Sequence, residues 1–216
     1  MASASYAAAT HQAGPGESLR AGLRAATMAA HDLLDHAMQA ASGWETREDY
    51  ACFLALQHAA REPLEAWLAA NAPADLVPPR QTPLIARDLA ALDQTLPPSS
   101  PRFDPSQTPA SPASVAAFHV EHASIGAAWV LAGSALGNKA IAKQVTRIGG
   151  GQWPLAFLGD EAMMGFWQDL RARIERPAAP AEAEGATRAA EAVFAHFLAV
   201  AEGGQASAIT PESIPA

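Results

Sequence analysis

Apolar residues along this chain recur at the three- and four-residue steps of a helix and show no convincing strand-like alternation. The first predicted helix runs from near Ser18 to about Ala41, with Glu17 and Ser18 at its start and Ser42-Gly43 as its stop. Thr46-Arg47-Glu48-Asp49 then supplies a cap and first-turn acids for a second helix. That helix carries Tyr50, Phe53, Leu54, Gln57, His58, Leu64, Trp67 and Leu68, and Pro63 is predicted to kink it. A proline-bearing loop over 71–82 precedes a short helix over 83–94. Residues 96–112 hold six prolines and read as a surface loop, because neither flank alone looks like a complete domain. A long helix is predicted over 113–146, with Gly149-Gly150-Gly151 breaking the chain after it. Gly159-Asp160 leads into a helix ending near Arg176, which Pro177 and Pro180 close. The last helix spans about 183–202, with Ala189, Val193, Phe194, Phe197, Leu198 and Ala201 along one face. The predicted architecture is all-α: one bundle-like domain over 17–203, flanked by flexible tails over 1–16 and 204–216.

Composition narrows the function classes. Of 216 residues half are hydrophobic, and 22 acidic against 14 basic residues give a formal charge of −8. Without a Lys/Arg run to neutralise phosphates, general nucleic-acid binding is excluded. The single cysteine, Cys52, excludes an internal disulfide framework and reads as a small apolar residue suited to a reducing cytoplasm. The longest uncharged, mostly apolar run, around Ile125 to Gly137, is too short to cross a bilayer, and residues 1–16 lack the features of a secretory signal. The expectation is a cytoplasmic protein without a membrane partner.

Two segments carry candidate chemistry. Leu23, Thr27, His31, Leu34 and Met38 share a helix face that is apolar except for the imidazole. An imidazole facing an apolar interior needs a partner for its ring nitrogens, either a metal or a carbonyl or carboxylate. In the long third helix, Gly126, Gly133 and Gly137 are seven and four residues apart and line one strip. Each interior glycine destabilises a helix by roughly 1 kcal/mol relative to alanine, so something must approach this backbone closely. A second helix or a flat ligand would satisfy that, and the Ser134 hydroxyl beside the strip is suited to holding water. His119 and His122 are three apart without an evident third ligand and read as surface or capping residues. His36, His58 and His196 have no companion motif, and Trp129, Trp153 and Trp167 read as core or pocket wall.

The Leu23-Arg24-x-x-Thr27-x-x-x-His31 pattern, followed about a hundred residues later by Trp129-Val-Leu-Ala-Gly133-Ser134-Ala135-Leu136-Gly137, resembles the biliverdin-producing heme oxygenases. The bacterial branch that accompanies bacteriophytochromes is the most similar, over roughly 18–202. Gly159-Asp160, Phe166-Trp167, Arg171, and Phe194 with Phe197 fit that pattern in order and spacing. The resemblance implies that heme, both substrate and cofactor, sits between a proximal helix bearing the iron ligand His31 and a distal helix. Gly133, Ser134 and Gly137 of the distal helix would be the catalytic strip. Arg24, Thr27, Asn138 and Arg171 would contact the heme, the two arginines at its propionates, with Lys139 and Lys143 as further cations. The products would be biliverdin, carbon monoxide and ferrous iron, with O2 as oxidant and an external donor, ferredoxin or a reductase, supplying electrons. Biliverdin would pass to a bacteriophytochrome. Two departures stand out: Ser134 replaces the distal aspartate of animal and plant relatives, and Asn138 stands where glycine or alanine is usual. Both support an alternative, a heme-binding protein that stores, carries or senses heme without degrading it. A histidine phosphotransfer bundle fits poorly, because Asp-Leu-Leu follows His31, and a thiaminase-like enzyme lacks a partner for Cys52.

Overall fold

Local polar caps open three of the helices in the computed structural model, which describes residues 17–107 and 118–209. Helix α1 (Leu19–Ala41) opens on Ser18, whose Oγ accepts from the Ala21 N–H at 3.2 Å. Helix α2 (Arg47–Asn71) opens with a reciprocal pair: Asp49 N–H donates to Thr46 Oγ1, and Thr46 N–H donates to the Asp49 carboxylate, both at 3.0 Å. It continues through Pro63 without a break. Helix α3 (Thr82–Ala91) is capped from a distance. Buried Glu65 of α2 accepts from Gln81 N–H at 2.7 Å, from Thr82 N–H at 3.2 Å and from Thr82 Oγ1 at 2.6 Å. Helix α4 (Val120–Ile148) follows, then α5 (Glu161–Ile174), whose first N–H groups donate to Asp160, and α6 (Pro180–Ile209). Two single-turn 3₁₀ helices, Ala74–Leu76 and Pro105–Gln107, lie in the loops. Among the described residues there is no strand, only an isolated bridge between Ser18 and Pro177.

Three boundaries differ from the sequence expectation. Helix α4 begins at Val120; residues 113–117, predicted helical, lie outside the described residues. Pro180 begins α6 rather than closing the preceding segment, since a proline in the first helical turn forfeits no intrahelical bond. At its other end α6 runs through Gly203-Gly204 to Ile209, so part of the predicted tail is helix. Alanines flank the two glycines and favour continuation of the helix. The expected tails 1–16 and 210–216 lie outside the described residues.

Helix α6 packs along both α1 and α4, and α1 and α4 make no comparably extended contact with each other. They are joined through shared clusters at two levels. Leu19 and Leu23 of α1 belong to the cluster holding Ile125, Ala128 and Ala132 of α4. Met38 and Leu34 belong to the one holding Val145 and Ile141. Polar ties reinforce both ends. Ser18 and Arg20 bond Glu175 at the end of α5, and Trp44 Nε1, just past α1, donates to Gln144 Oε1 of α4 at 2.7 Å. Along the sequence His31 falls between these two sets on α1, and Gly133 and Gly137 fall between the corresponding sets on α4. Among the described residues no helix is long and apolar enough to cross a membrane.

Candidate functional site

His31 lies at the rim of the face that α1 buries. Leu23, Thr27 and Met38 are buried as the spacing predicts, whereas the His31 side chain is 62 % exposed. The expectation of an imidazole turned into the apolar interior is thus corrected. At 100° per residue His31 falls at the edge of the arc centred on Leu23 and Leu34, beside Arg24 and Asp35. Its Nδ1 lies 3.2 Å from Asp35 Oδ2, one turn on. In the neutral imidazole Nδ1–H then donates to that carboxylate, and Nε2 keeps its lone pair. Nε2 has no protein partner among the described residues. Phe194 of α6 meets the ring edge-on, centroids 6.2 Å apart, and bounds the site on that side. A carboxylate that fixes the tautomer and frees the opposite nitrogen is the arrangement that metal-binding histidines use.

The three glycines of α4 separate into two kinds. Gly126 is buried against α6, where any Cβ would overlap the Ala186 carbonyl, so helix contact explains it. A Cβ on Gly133 would stand 3.7 Å from the Trp167 ring, an ordinary contact. A Cβ on Gly137 would meet nothing within 4 Å. Gly137 therefore lies on the unburied face of α4 with exposed Leu136 (56 %), Gly133 is half-buried one turn before it, and Met28 of α1 is likewise exposed (61 %). Trp129 and Trp167, ring centroids 4.9 Å apart, wall this strip at the Gly133 end.

Ser134, next to Gly133, is half-buried and its hydroxyl is doubly engaged. It donates to Leu131 O at 2.7 Å and accepts from Arg61 Nη2 at 2.8 Å. Arg61 is the functional candidate that sequence reasoning missed. It is only 2 % exposed, its Nε donates to Gln57 Oε1 at 3.0 Å, and its guanidinium lies over Phe157 and Phe197. Phe157 is held there by Asp88, whose carboxylate accepts from the Ala156 and Phe157 N–H groups at 2.9 and 2.8 Å. Burial pushes the Arg61 pKa down to about 10, partly offset by the Glu65 carboxylate, so the group is a cation at neutral pH. The spacing of Gln57 and Arg61 on one face of α2 was visible, but the burial of that face depends on residues far along the chain.

The other predicted positions divide. Arg24 and Arg171 are exposed and make no hydrogen bond among the described residues, and each lies one turn from the Arg20–Glu175 tie that joins α1 to α5. Both are thus available for an anionic group at that end of the site. Thr27 is buried with Oγ1 donating to Leu23 O at 2.8 Å, so its hydroxyl has no bond left to donate. Asn138 is buried and lines a separate cavity of about 210 Å³ with Gln81, Asp160, Met163, Lys139 and Lys143, away from the exposed strip. The structure does not bring Asn138 or the two lysines to His31.

Cys52 is exposed rather than a buried apolar residue. The His119 and His122 rings lie tilted with centroids 5.0 Å apart, and no group of three His, Cys, Asp or Glu among the described residues is placed to hold a metal by itself. His58 is buried, and His196 meets Ala60 O at 3.1 Å. Trp153 stacks on Tyr50, whose hydroxyl donates to Pro154 O at 2.8 Å. His31 is exposed, so the argument against phosphotransfer is the Asp-Leu-Leu that follows it.

A free imidazole nitrogen on α1, open space at Gly137 of α4 and two unbonded arginines are groups of the kind an iron porphyrin uses, since it needs a single protein ligand and open space. No protein-family model, curated protein or solved structure matches the chain.

Proposed function

We propose that this chain binds heme between α1 and α4 and opens it oxidatively, as a biliverdin-producing heme oxygenase. What supports the reading is a carboxylate-braced imidazole on α1 together with a bare, exposed stretch of α4, each falling between the two clusters that α1 and α4 share. Bound heme would supply O2 activation and be itself the substrate, yielding biliverdin, carbon monoxide and ferrous iron with electrons from an external donor. His31 Nε2 holds the iron, and Asp35 fixes the ring orientation by accepting from Nδ1–H. Gly133 and Gly137 let the α4 backbone lie against the ligand face, which decides where a small ligand can point. Arg24 and Arg171 meet the propionates. Trp167 and Phe194 exclude water from the ends of the slot.

One observation favours the second reading, a heme-binding protein without turnover. The Ser134 hydroxyl beside the strip spends its proton on Leu131 O, so proton delivery by it requires water. Ferric hemin added to the protein, then ascorbate in air, separates the two. The enzyme loses its Soret band as a green pigment appears; the binder keeps its Soret band and forms no pigment.

A further inference from the structure

The unusual group in the interior is Arg61. A buried guanidinium ordinarily sits on a carboxylate, because stripping water from an unpaired charge is costly. Here its bonded partners are neutral: the Gln57 amide oxygen and the Ser134 hydroxyl. Glu65, the carboxylate that acts on it electrostatically, uses its oxygens on the start of α3 and has Arg80 3.6 Å away. Phe157 and Phe197 cover the guanidinium at 5.0 and 5.9 Å, so its surroundings screen the charge poorly. Its bond to α4 is made at Ser134, the half-buried residue next to Gly133. The serine hydroxyl is committed to Leu131 O, so what Arg61 contributes on that side is fixed positive charge rather than a proton.

We propose that Arg61, acting through Ser134, makes the distal side of the site selective for anionic over neutral small ligands. The proposal rests on the heme-binding reading above and deepens it: the cation favours negative charge wherever it appears on the α4 side of the iron. A merely structural role, tying α2 to α4, would weaken the fold without changing which ligands are preferred.

Soret titrations of the ferric hemin complex with azide, an anion, and imidazole, a neutral ligand, provide the test. Wild type, Arg61→Met, Arg61→Gln and Arg61→Lys are compared at one salt concentration. Azide affinity should fall by about tenfold in the Met and Gln variants while imidazole affinity stays within about twofold, and Lys should restore azide binding. Should Met leave too little folded protein, Gln and Lys make the same comparison. Equal losses for both ligands, or no loss for either, overturn the proposal while heme binding stands. If the wild type takes up no hemin, or takes it up independently of His31, the heme reading itself fails and this inference with it.

Discussion

Gly126 and Gly137 lie about three turns apart on α4 and are indistinguishable by residue type, yet they stand in opposite surroundings. Where Gly126 sits, α6 comes so close that no side chain fits; around Gly137 a methyl group would touch nothing. The first glycine is explained by packing that offsets its helix cost. The second carries that cost on an exposed face with no return from the folded chain. A helix position left bare against a neighbour reports on the fold, and Gly137 has no such neighbour.

Substitutions can break this contrast. Gly126→Leu should have the largest effect, costing about 3 kcal/mol or more in chemical unfolding because backbone must move to admit the side chain. Near-native stability would show that α6 is not seated against α4 there. Gly137→Leu should leave the unliganded protein within about 1 kcal/mol of wild type, because its side chain enters open space. The same variant should bind hemin at least about tenfold more weakly, by filling the slot; normal uptake would move the ligand off this strip. Gly137→Ala sharpens the point, since the unliganded protein should gain about 0.5–1 kcal/mol. A loss of stability would mean that Gly137 serves the fold after all.

The smallest effect concerns the tie that holds the start of α1 in place. Hydrogen bonds from Arg20 and Ser18 hold the Glu175 carboxyl below its ordinary value of 4.5. A folded-state pKa below the unfolded one gives stability that is present above pH 4.5 and lost as pH falls through the folded value. Glu175→Gln should therefore be slightly less stable than wild type at neutral pH, and the gap should close on acidification. A gap that widens instead would contradict the tie.

The helices were readable wherever a local cap sets the boundary, as at Ser18, at Thr46 with Asp49, and at Asp160. Non-local capping was not, and Glu65 serving α3 across the fold has no sequence signature. The distal strip was legible as a spacing of glycines, but the spacing joined Gly126 to Gly133 and Gly137, and only the position of α6 separates them. His31 was legible as a candidate and misjudged in burial, because a face inferred from four-residue steps does not locate its own rim. Arg61 was invisible: Phe157 and Phe197, which bury it, lie about a hundred residues or more along the chain. Nothing near Ser134 in sequence announces its bond to α2.

Hemin titration of wild type against His31→Ala, with the axial-ligand spectrum recorded at saturation, tests the central claim most directly. The account predicts one heme per chain with an imidazole signature in the wild type, and loss of that signature in the variant. Identical spectra from both proteins would place the iron on another ligand and contradict it.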